Sequence, residues 1–340
     1  MIAMTRLNRL GMLAALAGIA WLGGAQAPAA EPLKIRIGWA VAPAQLAPIL
    51  FEHPGIAQHL GKSYTLEPLR FAGSSMTLQA LATGELEIAP MTFNVLGPAL
   101  LSAGLTDLKI IADELRDGVE GYETTHYLVR NDSGIAKIED LKGKVAAING
   151  IGGGQDIFMR VMMRKHGIEY PADYTIIEAQ FPNMKALLLD KKVDLIVGVK
   201  PFTEDPALKA DAHDLFNQRE AVGMTDFLFL TARSEFIAKN RAALVDFFED
   251  DIRATRWYMD PANHAEAVEI VAKFLKAPPE RLGWVFTHSD YYRDANLHPD
   301  LAAIQKNVDM LQTFGFIKEH IDVAAHADLS LVADAAKRLK

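Results

Sequence analysis

From Leu33 to about Val199 the chain alternates short apolar runs with stretches whose apolar residues recur at helical spacing. Apolar runs of this length bounded by turn residues predict buried strands, and the longer periodic stretches between them predict helices. Strands are expected at 34–39, 65–71, 86–91, 108–112, 125–129, 144–148, 174–178 and 193–197, with helices at 75–82, 94–102, 155–165 and 183–189. After Phe236 the pattern becomes helix upon helix, at 240–259, 262–275 and 297–314, punctuated by Pro261, Pro278, Pro279 and Pro299. This rhythm is that of an α/β fold with a helical C-terminal region.

A weak internal repeat runs through the α/β part. Ser75-Met76-Thr77-Leu78-Gln79-Ala80-Leu81 leads through Gly84-Glu85 into Leu86-Glu87-Ile88, and Asn183-Met184-Lys185-Ala186-Leu187-Leu188-Leu189 leads through Lys192 into Val193-Asp194-Leu195-Ile196. Each is a helix, a turn and a buried strand preceded by another strand, which predicts two lobes of the same wiring. Two extended apolar segments, 125–130 and 226–231, each end in a polar turn and mark where the chain would cross between lobes. The expected division is residues 30–123 with 226–340 in lobe one, and the insertion 124–225 as lobe two. Such a double crossover permits hinge closure about a ligand.

The first thirty residues have a different character. Arg6 and Arg9 precede an uncharged run from Leu10 to Gly24 that is short of the roughly 20 residues of a membrane span, and small residues follow. The reading is a signal peptide over 1–29 cleaved at Ala27-Pro28-Ala29; an uncleaved anchor is disfavoured by Gly23 and Gly24. Loss of Arg6 and Arg9 takes the formal charge from -8 to -10. An acidic chain does not favour nucleic acid as a partner. The chain has no cysteine, which excludes disulfides, thiolate metal sites, thiol catalysis and an acylated-cysteine anchor. Export without that anchor predicts the periplasm, with full secretion as the alternative.

Ligands of open α/β sheets bind beyond the carboxyl ends of the strands. Trp39, then Ser74 and Ser75, then Thr92, Phe93 and Asn94 follow successive strands of the first expected lobe; Gly152, Gly153, Gly154, Gln155 and Phe202 follow strands of the second. Ser74-Ser75 and the triple glycine stand where helix-terminal amides would cradle an anion, although serine also caps helices for structural reasons. The glycine run reads as close backbone approach to a ligand. Trp39, Phe93, Tyr122 and Phe202 offer aromatic walls suited to an organic moiety, with core packing as the other reading. Glu123, Glu204 and Asp205 face the choice between a ligand ammonium and solvated surface. Glu249-Asp250-Asp251 reads as a solvated helix face. The glycine run lacks the third glycine of a dinucleotide fingerprint and the Lys-Ser/Thr of a P-loop, and the histidines lack zinc-ligand spacing. No nucleophile elbow is present, so no enzyme, cofactor or metal is expected.

Several stretches have a family look: 34–39, then Phe71-Ala72-Gly73-Ser74, then 78–88 and 104–112, and above all Ile138-Glu139-Asp140-Leu141-Lys142-Gly143-Lys144-Val145-Ala146. In order and spacing they resemble the periplasmic solute-binding proteins of nitrate, sulfonate and taurine ABC importers, over residues 34 to about 202. The resemblance implies a two-lobed periplasmic-binding-protein fold of type II, each lobe a mixed sheet flanked by helices. It implies a monomeric receptor that captures a small organic anion, a sulfonate, taurine-like molecule or aromatic acid, and delivers it to a membrane permease and its ATPase. A vitamin or pyrimidine precursor as ligand, a periplasmic enzyme and a sensor subunit are the alternatives on the same fold. A related yeast-type pyrimidine synthase depends on cysteine, which this chain lacks, and the run Gly152–Gly154 departs from the bulkier polar residue that relatives carry.

Overall fold

The computed structural model describes residues 31–340. The expected signal peptide and its cleavage point lie outside the described residues. In chain order the elements are β1 (Leu33–Trp39), β2 (Tyr64–Arg70), α1 (Ser74–Ala82), β3 (Ala89–Met91), α2 (Phe93–Gly97), β4 (Leu108–Asp117) and β5 (His126–Arg130). There follow β6 (Val145–Ile148), α3 (Gly154–Lys165), β7 (Thr175–Glu178), α4 (Phe181–Leu189), β8 (Leu195–Gly198), α5 (Pro206–Asp211), β9 (Ala212–Asn217), α6 (Gln218–Val222) and β10 (Thr225–Arg233). The chain then turns helical, with α7 (Ser234–Met259), α8 (His264–Leu275), α9 (Leu301–Thr313) and α10 (Ser330–Arg338).

The strands form two mixed sheets of matching topology. In one, β7-β6-β8-β5-β9, the first three strands are parallel and β5 runs antiparallel to both β8 and β9. In the other, β1 pairs parallel with β2, and β10 pairs antiparallel with β3 and β4. A parallel bridge from Ile37 to Ile88, with Gly38 N donating to Ile88 O at 3.1 Å, joins these pieces into the order β2-β1-β3-β10-β4. The repeated helix–turn–strand units are α1 with β3 and α4 with β8, each beside its parallel partner strand. Hydrophobic runs fill the strands because parallel strands are covered on both faces.

Local differences from the sequence pattern have identifiable causes. The helix expected at 94–102 is split: α2 ends at Gly97 and Pro98–Ser102 forms a wider π-helical turn, since Pro98 has no N–H to continue the α-helical ladder. The strand expected at 86–91 narrows to Ala89–Met91, while 108–112 extends to Asp117 through its pairing with β10. α7 starts at Ser234, well before residue 240, and Asn240 has non-helical backbone angles (φ -123°, ψ 18°) where its side chain bonds Phe236 O at 2.9 Å.

Glu249-Asp250-Asp251 is not a solvated face. Asp250 is fully buried, and its carboxylate accepts from the amides of Gln58 and His59, both at 2.8 Å, and from the hydroxyl of Tyr64 at 2.9 Å. It thus satisfies the backbone entering β2, which a solvated residue would not do. Asp251 is buried beside Thr255, and burial pushes its carboxyl up to about 7.

Two crossing segments, between β4 and β5 and between β9 and β10, run side by side. Buried Asp117 at the end of β4 accepts from the hydroxyls of Thr124 (2.7 Å) and Thr125 (2.6 Å). Gln218, just after β9, receives the Thr124 hydroxyl at 3.2 Å, and its amide nitrogen reaches Gly223 O and Thr225. Arg219 donates to the carbonyls of Gly118 and Tyr122 at 3.0 and 3.1 Å. The side chains of Asp117, Thr124, Gln218 and Arg219 thus all find partners within the strap.

Candidate functional site

The carboxyl ends of β1 and β3 from one sheet face those of β6 and β8 from the other, and a chamber of about 660 Å³ lies between them. Each loop holds its place for a local reason. After β1, the amides of Ala40 and Val41 donate to Gln45 Oε1 at 2.7 and 3.4 Å, and Gln45 Nε2 donates to Glu114 at 3.0 Å. Burial pushes the Glu114 carboxyl up to about 8, against the opposing effect of that bond. α1 opens at Ser74 with Gly73 as its N-cap and no side chain capping it, so its first amides have no intrahelical partner.

Of the residues expected at the site, Trp39, Ser74, Thr92, Gly153, Gly154 and Gln155 line this chamber. Phe202 lines a wider outer chamber of about 1460 Å³, which shares Trp39, Ala40, Val41 and Phe181 with the inner one. Phe202 stacks on Phe181 there, with ring centroids 6.0 Å apart. Phe93 lies elsewhere, fully buried in the core 5.9 Å from Phe158. Tyr122 packs on His288 and Tyr292. Ser75, Asn94 and Gly152 are not on the chamber wall but at the seam where the lobes touch: Asn94 Nδ2 donates to Gly152 O at 2.5 Å, and Ser75 Oγ lies 4.0 Å from the point a Cβ on Gly152 would occupy.

The triple glycine also has reasons internal to the protein. Gly152 has φ +78°, in the left-handed region; a Cβ on Gly153 would stand 3.1 Å from Gly150 O; and one on Gly154 would stand 2.4 Å from the Phe227 ring and 3.1 Å from Thr92. Phe227 belongs to β10, so the close approach is of one lobe to the other. The N-terminus of α3 is moreover engaged by its own acid: the Gly152 amide donates to Asp156 at 2.8 Å, and Asp156 pairs with Arg160 at 2.7 Å. Asp156 is fully buried, which raises its pKa in spite of the guanidinium.

Lys200, just after β8, is the sole charged side chain on the inner wall among the described residues. It is 7% exposed, and its ammonium is consumed by Glu123 (3.0 Å), Glu204 (3.5 Å), the carbonyl of Ser289 and the face of the Trp284 ring at 4.9 Å. Glu204 and Asp205 are also held by Lys209 (2.6 Å) and Lys185 (2.7 Å), and Glu123 by His126 at 2.8 Å, so these acids serve protein cations. Burial lowers the His126 pKa, but the carboxylates of Asp214 and Glu123 outweigh it and raise the value to about 10.

Three buried polar atoms on the inner wall have no partner among the described residues: Thr92 Oγ1, Asn149 Oδ1 and the Tyr291 hydroxyl. Such groups are costly unless a ligand or water meets them. Asn149 Nδ2, by contrast, reaches across to Ala72 O at 3.3 Å. Gln45, Thr125, Phe227 and Tyr291 complete the wall and were not singled out as site residues from the sequence. Phe227 sits in a recognised apolar segment, but nothing local sets apart Tyr291, which arrives from the irregular segment between α8 and α9.

Among the described residues one group of side chains lies close enough to hold a metal ion, His59 with Asp246 and Glu249. Arg338 donates to Asp246 at 2.7 Å and Arg253 to Glu249 at 2.6 Å, so cations already neutralise both carboxylates. No helix among the described residues is long and apolar enough to cross a membrane.

The model of the NMT1-like family matches residues 28–272, well over half of the chain. Comparison with curated protein sequences gives no match. Among solved structures, the alkanesulfonate-binding protein SsuA of Xanthomonas axonopodis pv. citri, bound to MOPS, superposes with a TM-score of 0.68 at 18% identity, covering 88% of this chain and 100% of that one. The periplasmic nitrate-binding protein NrtA of Synechocystis PCC 6803 gives a TM-score of 0.69 at 15% identity over 91% of this chain and 90% of its own. The desulfurization enzyme DszB gives 0.63 at 10% identity over 91% and 100%. The likeness is one of fold: two lobes of mixed sheet flanked by helices, as in periplasmic binding proteins.

Proposed function

The chain belongs to the NMT1-like family, and from that premise we propose that it is a periplasmic solute-binding receptor of an ABC importer. In this reading the protein captures a small organic anion, a sulfonate or an aromatic acid, between its lobes and presents the closed form to a membrane permease. The division at 123/124 and 225/226 belongs to the same proposal, with the double strap around Asp117 and Gln218 as the hinge.

The observation that carries the reading is the inner chamber itself. It is closed by contacts between lobes, Asn94 with Gly152 and Asn149 with Ala72, and it contains three unpartnered polar atoms. Thr92 and the bare amides of α1 offer donors for a ligand oxygen, while Trp39 and Phe181 offer apolar walls. Binding is favoured over turnover because no carboxylate or imidazole side chain lines the chamber among the described residues, and its one ammonium, Lys200, is already held by Glu123 and Glu204. Enzymes do occur on this fold, as DszB illustrates.

The test is to purify the protein from its periplasmic extract, identify retained small molecules by mass spectrometry, and add each back to stripped protein. A ligand should raise the melting temperature and shrink the radius of gyration in small-angle scattering. Chemical conversion of the added molecule would sink the receptor reading, as would the absence of any retained molecule together with no shift from a panel of sulfonates and aromatic acids.

A further inference from the structure

The inner and outer chambers differ in their electrostatics. The inner wall has one cation, Lys200, already shared by two carboxylates, and the acid-bearing N-terminus of α3 beside it. An anion placed there would be desolvated without a free countercharge, which is costly. The outer chamber has two guanidiniums, Arg70 and Arg281, that make no ion pair among the described residues. Both are exposed. The acids on the same wall, Glu204 and Asp205, are taken by lysines. Arg70 rests over the Trp39 ring, 5.5 Å from its centroid, and Trp39 lines both chambers. A positive charge therefore stands at the passage between them.

We propose that the ligand occupies both chambers: an uncharged, ring-bearing body inside, joined by a short linker to an anionic group that lies outside between Arg70 and Arg281. The inference rests on the receptor reading and specifies its ligand class as an amphiphilic aromatic acid. A bare inorganic ion or a very short sulfonate does not fit it. Thr92, Asn149 and Tyr291 are met by polar substituents on the body or, where it has none, by water, and the anionic group keeps part of its hydration at the open mouth.

Three probes separate the alternatives by isothermal titration: 4-phenylbutanoate, its uncharged amide 4-phenylbutanamide, and benzoate, whose charge is attached directly to the ring. Each is titrated into the wild type and into the double variant Arg70→Gln/Arg281→Gln, whose exposed sites leave the melting curve a check on folding. The expected result is that 4-phenylbutanoate binds the wild type about tenfold more tightly than the amide, that this gap closes in the double variant, and that it narrows at about 0.5 M salt. Benzoate should bind more weakly than 4-phenylbutanoate. Tighter binding of benzoate, or a 4-phenylbutanoate affinity unchanged in the double variant, would place the charge inside and overturn the inference while leaving the receptor reading intact. Silence from all three probes overturns this ligand class; the receptor reading is then judged separately by the retained-ligand experiment.

Discussion

Asn94 of one lobe donates its side-chain amide to the Gly152 carbonyl of the other at 2.5 Å, and both flank the chamber without lining it. Because the bond joins the two lobes, hinge opening would break it. Asn94→Ala is expected to leave the melting temperature of the ligand-free protein nearly unchanged and to weaken ligand binding about fivefold, the worth of about 1 kcal/mol. Stopped-flow dissociation should show the loss in the off-rate.

Gly154 and Phe227 leave no room for a methyl group between them. Gly154→Ala should therefore hold the lobes apart, raising the radius of gyration of the liganded protein and reducing affinity at least tenfold. Phe227→Leu in the same chain should recover part of the affinity. A single variant that binds and closes like the wild type would show that the seam can shift to admit the methyl.

The Asp117 carboxyl of the double strap is pushed up to about 6 by burial, against hydrogen bonds from Thr124 and Thr125. Its folded value exceeds the ordinary 3.8, so the folded chain holds the proton more tightly. The resulting stability is full below about pH 4 and is lost as pH rises through about 6, amounting to about 2–3 kcal/mol. Asp117→Asn, which keeps the shape without the ionisation, should flatten this part of the melting temperature profile between pH 4 and 7. An unchanged profile would assign the pH dependence to other buried carboxyls.

Lys200→Met retains the apolar stem on the chamber wall and deletes the ammonium that ties β8 to Glu123 and Ser289. It should lower thermal stability by about 2 kcal/mol, because the half-buried Glu123 is left with fewer partners. Calorimetric unfolding measures the loss; a value within about 0.5 kcal/mol of wild type would show that His126 alone suffices for Glu123.

Asp250→Ala removes the acceptor of two amides and the Tyr64 hydroxyl at the entry to β2. The expected cost is about 3–5 kcal/mol, read by urea unfolding. Asp250→Asn should recover only part, since one oxygen is replaced by a donor facing donors.

The alternation of apolar runs and periodic stretches made most of the two sheets legible in the sequence, because buried parallel strands and their crossover helices impose those patterns locally. β9 escaped notice: its exposed His213 and Asp214 make it a strand by pairing with β5, a property of the partner. Loop positions such as Trp39, Ser74 and Thr92 follow from strand ends and could be read directly. Tyr291 and the fate of Lys200 could not, since each depends on segments brought together only by folding. Charge was the least legible feature. The acids at 249–251 looked solvated because neither the amides of Gln58 and His59 nor the Tyr64 hydroxyl can be seen from their own helix.

The place of β10 has a consequence for how the protein is made. Residues 126–217 contain every strand of the β7-β6-β8-β5-β9 sheet, so that sheet can assemble as soon as its stretch of chain is available. The other sheet cannot: β10 lies between β3 and β4, and until residues 225–233 have emerged β4 lacks its neighbour. During vectorial synthesis the interrupted half must wait, with β4 unpaired and one edge of β3 open, for the inserted half to be completed. The inserted half is therefore expected to gain protection first in pulse-labelled hydrogen exchange, and β3 and β4 are the strands a chaperone would have to shield.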